Sequence, residues 1–304
     1  MFHINRSALA ALALALGLGG AALQGATAAG IPISNNPVVG NGQATPKPNI
    51  MLLMDTSKSM SFTHMPDEAE TTAFYTQSIG YRSAQCNSLY YNPNTQYTVP
   101  VNAAQQPQPT PAFDNARYDF YSTTNTSTVN LGSQFRAYDV NTLAVAVAGL
   151  REDPPQPAYY YVYTGTTPLN YATAPCTDQD AVIFPGADYS VPRNTTGGTW
   201  TRKQVSSTSG TGPAGADERT NFAIWYTYYR TRMALMKSSV STAFAPMTEK
   251  YRVGFVSVNP LVDTTNASSG VDAAKYLAIE DFAPNHKSAW FNKVFAQQPL
   301  GSSP

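Results

Sequence analysis

Charged residues are scarce in this chain, and those present cancel each other. Nineteen lysines and arginines match nineteen aspartates and glutamates, so charged side chains make up 12% of 304 residues and the formal net charge is zero. Soluble domains usually carry about twice that share of charge. Because no net field draws the chain to polyanions, the composition argues against binding to nucleic acid or to an anionic membrane.

Long apolar runs are absent after the N-terminus, which argues against a membrane-spanning helix there. The first residues combine Arg6, an apolar stretch from Ala8 to Leu18 and a small-residue cleavage site ending at Ala28. This order is typical of a signal peptide, which we assign to residues 1–28. An uncleaved anchor is the alternative, but glycines interrupt the apolar stretch and it is short for a membrane span. The chain is therefore predicted to be exported.

Cysteine and histidine are also rare. His3, His64 and His286 lie far apart in the sequence, so no Cys/His pattern with the spacing of a zinc site exists. The two cysteines are Cys86 and Cys176. In an oxidising compartment they are predicted to form a disulfide, which would stabilise the fold by roughly 4 kcal/mol in the chain-entropy model. Two isolated buried thiols are the alternative.

Hydrophobic patterns predict the framework of an α/β fold. Residues 29–48 are rich in proline, glycine and asparagine, which is typical of an exposed linker. The run NIMLLM has the continuous apolar character of a strand buried on both faces of a parallel sheet. Apolar residues at spacings of three and four from Phe222 to Phe244 predict one amphipathic helix that ends at Pro246. The segment YRVGFVSVN, residues 251–259, predicts a second strand and hence a parallel crossover.

The remaining segments predict two further elements and a large insertion. KYLAIEDFAP favours an edge strand, and KSAWFNKVFAQQ favours a helix with one apolar face. Residues at about 65–219, rich in tyrosine, asparagine, threonine and proline, predict an insertion of short strands and long loops. Its tyrosines would suit an exposed binding surface, or alternatively would pack the insertion's own small cores.

The strand NIMLLM runs directly into DTSKSM, which places Asp55, Ser57 and Ser59 at alternate positions. The loop after the carboxyl end of a strand is where ligands usually bind in open α/β sheets. One carboxylate and two hydroxyls suit a hard divalent cation such as Mg²⁺. Because serine oxygens are neutral, the ion would keep most of its positive charge and attract a partner's carboxylate. The alternative is that these side chains only cap and turn the chain.

Longer stretches of the chain resemble a known family. NIMLLMDTSKSM resembles the first strand and metal-ion-dependent adhesion site (MIDAS) of von Willebrand factor type A domains. Over nearly all of the mature chain, stretches such as CNSLYYNPNTQYTVP, NFAIWYTYYRTRMALMKSSVSTAFA and YRVGFVSVN are similar to the N-terminal region of PilC/PilY-type proteins. These proteins are adhesins and biogenesis factors at the tips of type IV pili.

The resemblance implies a fold, a location and partners. It implies a Rossmann-like open sheet of the von Willebrand factor A type over residues 49–304, interrupted by the insertion. It also implies a non-enzymatic protein of the periplasm, pilus tip or cell surface, or a secreted one. Its partners would be pilus or minor pilin subunits, or an acidic residue of a host-surface or other protein.

The resemblance further implies a ligand set for Mg²⁺ or Ca²⁺. Ser57 and Ser59 would ligate the ion directly, with Asp55 near it directly or through water. A further hydroxyl normally comes from a later G-T-P-L-R loop, and LGSSP places Ser303 at the threonine position. Lys58 stands where glycine is common, and its charge predicts a weak site. The family's last acidic ligand would lie beyond the end of this sequence, so the resemblance predicts a truncated domain without the family's C-terminal β-propeller.

Two other functions fit parts of the sequence. The chain would be a structural surface protein if the metal motif were vestigial, and a metal titration separates that case from an adhesin. It would be a phosphoryl-transfer enzyme if Asp55 acted as a nucleophile after its strand. Haloacid-dehalogenase-type enzymes carry a second aspartate two positions on, where this chain has Ser57, so this alternative is weaker.

Overall fold

The structure, a computed structural model, describes residues 46–66, 78–138, 153–179, 192–258, 260–261 and 268–299. The predictions for the signal peptide, for most of the linker and for Ser303 lie outside these ranges. Within them, no helix combines the length and the apolar character needed to cross a membrane.

Eight strands and three α-helices occur in the described part of the chain. The strands are β1 (Asn49–Met54), β2 (Ala116–Arg117), β3 (Thr128–Val129), β4 (Tyr159–Gly165), β5 (Arg193–Thr195), β6 (Gly198–Gln204), β7 (Arg252–Ser257) and β8 (Tyr276–Asp281). The helices are α1 (Arg219–Tyr228), α2 (Arg232–Phe244) and α3 (Pro284–Ala296).

A three-stranded sheet with the order β1-β7-β8 carries the candidate site. β1 and β7 run parallel, in a register that pairs Asn49 with Arg252 and Met54 with Ser257. β8 is antiparallel to β7 and lies at the edge. These observations confirm the second strand, the edge strand and the parallel arrangement that the sequence predicted, and α3 confirms the last helix.

One face of this sheet is packed and the other is open, so the prediction that β1 is buried on both faces is wrong. Met54, Val253 and Phe255 are fully buried against α2 and α3. On the opposite face Met51 is 40% exposed and Leu53 is 63% exposed. A continuous apolar run cannot by itself tell which of its faces finds a packing partner, and no described element covers this one.

The prediction of a single helix from Phe222 to Phe244 is also wrong, because the structure has two helices there. The chain leaves helical geometry before α2, and the Thr231 side chain caps that helix by accepting the N–H of Ala234 at 3.1 Å. The tyrosine-rich segment between the loop after β1 and α2 is called the intervening segment here. α1 packs in its aromatic core, whereas α2 packs against the sheet through residues that include Met233. The apolar stripe that is continuous in the sequence is therefore divided between two separate cores.

The intervening segment builds its own core, mainly from tyrosines. A second sheet with the order β4-β6-β5 and the short pair β2-β3 lie in this segment. Many of the tyrosines are buried inside it, namely Tyr81, Tyr90, Tyr91, Tyr159, Tyr160, Tyr161 and Tyr163. For these residues the structure favours core packing over an exposed binding surface.

Cys86 and Cys176 form the predicted disulfide within that core, with Cα atoms 5.9 Å apart. Both cysteines are buried. The backbone beside the bridge is close-packed, since the N–H of Gly80 donates to the carbonyl oxygen of Cys176 at 3.1 Å. The disulfide thus ties the beginning of the segment to a point 90 residues further along the chain.

Candidate cation site

The carboxyl end of β1 leads directly into a tight loop that gathers the predicted oxygens. The carboxylate of Asp55 accepts the backbone N–H of Ser57 at 2.7 Å, and the hydroxyls of Ser57 and Ser59 lie 2.9 Å apart. A short 3-10 helix, Lys58–Ser61, fixes the serines relative to each other. Ser57 is buried, while Asp55 and Ser59 are half-buried. The structure therefore brings together three of the four predicted ligands, and the fourth, Ser303, lies outside the described residues.

Arg232, the first residue of α2, holds the chain that follows this loop. Its backbone N–H donates to the carbonyl oxygen of Phe62 at 3.1 Å. Its guanidinium donates twice to the carbonyl oxygen of His64, at 2.9 and 2.7 Å, and lies 5.3 Å from the centre of the Phe62 ring. Sequence reasoning missed Arg232, because an arginine at a helix start normally indicates a solvent-exposed position.

Ser257 is a second residue that sequence reasoning missed. It ends β7 directly beside Met54, and the N–H of the next residue, Val258, donates to the Met54 carbonyl at 2.9 Å. The side chain is 1% exposed, and its hydroxyl has no hydrogen-bond partner. A polar residue at the carboxyl end of an otherwise apolar strand was the available sequence signal.

The donor set fits a hard cation. All candidate donors are carboxylate or hydroxyl oxygens, which suit Mg²⁺ or Ca²⁺ better than zinc or another soft ion. Within the described ranges, no cluster of three or more His, Cys, Asp or Glu side chains is placed to hold a metal. The loop thus offers a single carboxylate. Lys58, half-buried at the start of the 3-10 helix, adds a positive charge that would weaken the binding of a cation there.

Comparison with known proteins identifies relatives of one kind. No family model and no solved structure matches the chain. The type IV pilus biogenesis factor PilY1 of Pseudomonas aeruginosa PAO1 is 28% identical over 312 residues, which cover 96% of this chain and 22% of the relative. PilY1 of strain PAK is 26% identical over 291 residues, 92% of this chain and 22% of the relative.

A third relative, PilY1 of strain UCBPP-PA14, is 25% identical over 265 residues, 84% of this chain and 19% of the relative. The chain thus spans about a fifth of the length of these curated relatives. The agreement nevertheless extends over nearly the whole chain, including both the sheet and the intervening segment. This chain is thus similar to PilY1-type type IV pilus biogenesis factors over most of its length.

Proposed function

We propose that this chain is the cation-binding, adhesive part of an exported type IV pilus biogenesis factor. The observation that carries the proposal is the clustering of Asp55, Ser57 and Ser59 in one loop at the carboxyl end of a parallel strand. Ligands usually bind at that end of an open α/β sheet. The similarity to PilY1 supports the connection with pilus biogenesis.

The sheet supports a von Willebrand factor A-like domain as the framework of the site. β1 is parallel to β7 and β8 is an antiparallel edge strand, while α2 and α3 cover one face. In this arrangement the tyrosine-rich segment is an insertion between the cation loop and α2. Its two ends meet at the hydrogen bonds between Arg232 and the segment from Phe62 to His64.

The chemistry of the site favours adhesion. Ser57 and Ser59 would hold Mg²⁺ or Ca²⁺ through neutral oxygens, and Asp55 would supply the negative charge, with Ser303 as a further hydroxyl. One carboxylate leaves a divalent ion with net positive charge, so an open position would attract an acidic side chain. Suitable partners are pilus or minor pilin subunits, or a host-surface protein that presents such a side chain. Kinship with biogenesis factors is consistent with this binding role rather than with catalysis by Asp55.

A structural protein with a vestigial site is the second candidate, and one observation favours it. Asp55 already accepts the Ser57 N–H, and the two serine hydroxyls already pair with each other. These side chains would therefore be satisfied without a cation, as in an ordinary Asx turn.

Calorimetric titration of the purified chain with Mg²⁺, Ca²⁺ and Mn²⁺ separates the two candidates. We expect saturable, weak binding that Asp55→Ala abolishes, because the variant removes the carboxylate of the loop. Asp217→Ala is the matched control, since Asp217 is exposed and pairs with Arg219 instead. Absence of binding by the unaltered chain would count against the proposed site and favour the vestigial case, and binding retained by Asp55→Ala would place the ion elsewhere.

Co-sedimentation with purified type IV pili tests the partner. Binding that requires the divalent cation, disappears with chelator and is lost in Asp55→Ala would support adhesion through the loop. Pilus binding that persists unchanged in chelator would show that another surface makes the contact.

A further inference from the structure

We infer that the hydroxyl of Ser257 is an additional oxygen ligand of the cation site, one that the D-x-S-x-S pattern does not contain. The inference rests on the proposed function, since it names a further residue of the same site. It assigns the site a second strand of the sheet, so that the cation would bridge the ends of β1 and β7.

The position of Ser257 follows from the register of the two strands. Its Cα pairs with that of Met54, the residue that precedes Asp55. The ladder continues one step further, because the Val258 N–H donates to the Met54 carbonyl oxygen at 2.9 Å. The ends of the two parallel strands are therefore fixed side by side where the cation loop begins.

The direction of the Ser257 side chain follows from strand alternation. Phe255 and Val253, two and four residues earlier, are fully buried in the core between the sheet and the helices. Alternate residues of a strand point to the same face, so Ser257 lies on this helix-covered face. The 3-10 helix that follows Ser57 also contacts α2, and Ser57 is likewise buried. The end of β7 and the loop after β1 thus both lie on the side of the sheet that the helices cover.

The hydroxyl of Ser257 has no hydrogen-bond partner although the residue is 1% exposed. Two buried serines of α2 behave differently, since the Ser238 hydroxyl donates to the Tyr228 carbonyl at 2.6 Å and that of Ser241 to the Ser238 carbonyl at 2.9 Å. A buried polar atom without a partner destabilises a fold unless a ligand or water satisfies it. A hard cation at the adjacent loop would satisfy it, because a hydroxyl is one of the ligands that Mg²⁺ accepts.

Thermal unfolding and Mg²⁺ calorimetry of Ser257→Ala test the inference. Without cation, the variant should unfold at the same temperature as the unaltered chain or higher, because it removes an unsatisfied hydroxyl. With millimolar Mg²⁺, it should gain less stability than the unaltered chain, and its Kd should rise about tenfold. Ser241→Ala is the control: it should lower the unfolding temperature equally with and without Mg²⁺ and leave the Kd unchanged.

Ser257→Cys separates direct ligation from a structural effect. A thiolate is a poor ligand for Mg²⁺ and a good one for soft Cd²⁺. The variant should therefore lose Mg²⁺ affinity and gain Cd²⁺ affinity relative to the unaltered chain, whose two cysteines are joined in the disulfide.

The outcomes distinguish this inference from the function on which it rests. If the unaltered chain binds no divalent cation, the proposed function fails and the inference fails with it. If the unaltered chain binds Mg²⁺ and Ser257→Ala binds it equally well, the function stands and only the role of Ser257 is overturned. If Ser257→Cys acquires no preference for Cd²⁺, direct ligation is overturned.

Discussion

The guanidinium of Arg232 donates two hydrogen bonds to the carbonyl oxygen of His64, although 168 residues separate them in sequence. The chain therefore leaves the candidate cation loop, builds the tyrosine-rich segment and returns to the same place. This contact joins the loop to the helix that packs on the sheet, so the segment enters and leaves the fold beside the candidate site.

Replacing Arg232 with Met should destabilise the protein by about 2 kcal/mol or more, because charged hydrogen bonds to a buried carbonyl are lost. It should also weaken Mg²⁺ binding, since the chain after Ser59 would no longer be held. Urea unfolding and calorimetry measure the two effects. Arg219→Met is the control: that arginine is exposed and pairs with exposed Asp217, so its loss should change neither quantity. Stability equal to that of the unaltered chain would show that Arg232 does not anchor the loop.

Breaking the disulfide should destabilise the tyrosine-rich segment. For the 90-residue separation between Cys86 and Cys176, the chain-entropy model gives roughly 4 kcal/mol. The double variant Cys86→Ser/Cys176→Ser should therefore unfold at a lower temperature than the oxidised chain. Peptide mapping without reductant should recover the two cysteines in one linked pair. Recovery of both as freely alkylated thiols would contradict the structure.

Gly80 should tolerate no side chain. A Cβ placed on Gly80 would lie 2.3 Å from the carbonyl oxygen of Cys176, which is backbone and cannot swing away. Gly80→Ala should therefore cost about 1–3 kcal/mol by overpacking. At Gly132 the nearest atom to an added Cβ belongs to a side chain, Asn130 Oδ1 at 3.1 Å, so Gly132→Ala should be much milder. Equal unfolding temperatures for the two variants would refute the assigned packing around the disulfide.

Lys237 should give the protein an unusual alkaline pH dependence. The side chain is fully buried on α2, and its ammonium donates to the Phe295 carbonyl at 2.9 Å and lies 5.0 Å from the centre of the Tyr121 ring. Burial lowers the pKa of Lys237 to about 8, with Asp119 opposing the shift. Below that pH both the folded and unfolded states carry the proton, so the cost of burying the charge is fully present.

Between pH 8 and the unfolded pKa of about 10.4, the unfolded state binds the proton and the folded state does not. The contribution of Lys237 to stability should therefore rise with pH across this window, by up to about 3 kcal/mol. Lys237→Met should lack this rise. Urea unfolding of both proteins over the window measures the difference between their free energies of unfolding. Burial raises the pKa of tyrosines such as Tyr97, to about 12, which lowers stability as the pH rises. Because both proteins contain these tyrosines, their effect cancels in the difference. A pH-independent difference would show that Lys237 titrates normally.

Local patterns in the sequence were enough to predict much of this protein. β7, β8 and α3 were predicted because each has an apolar periodicity of its own that matches one type of element. The clustering of Asp55, Ser57 and Ser59 also followed from sequence, because a turn of five residues brings their oxygens together whatever lies around it.

Tertiary structure decided the features that depend on distant partners. The stripe from Phe222 to Phe244 divides into two helices because one half faces the tyrosine core and the other the sheet. Arg232 holds the chain after the loop because it donates to the distant His64 carbonyl. Ser257 is a buried hydroxyl beside the loop because β7 pairs with β1, which is distant in sequence. The apolar periodicity of a sequence indicates which residues are buried. It does not indicate which residues they pack against, because the hydrophobic effect is nearly non-directional. Only the packed fold determines those partners.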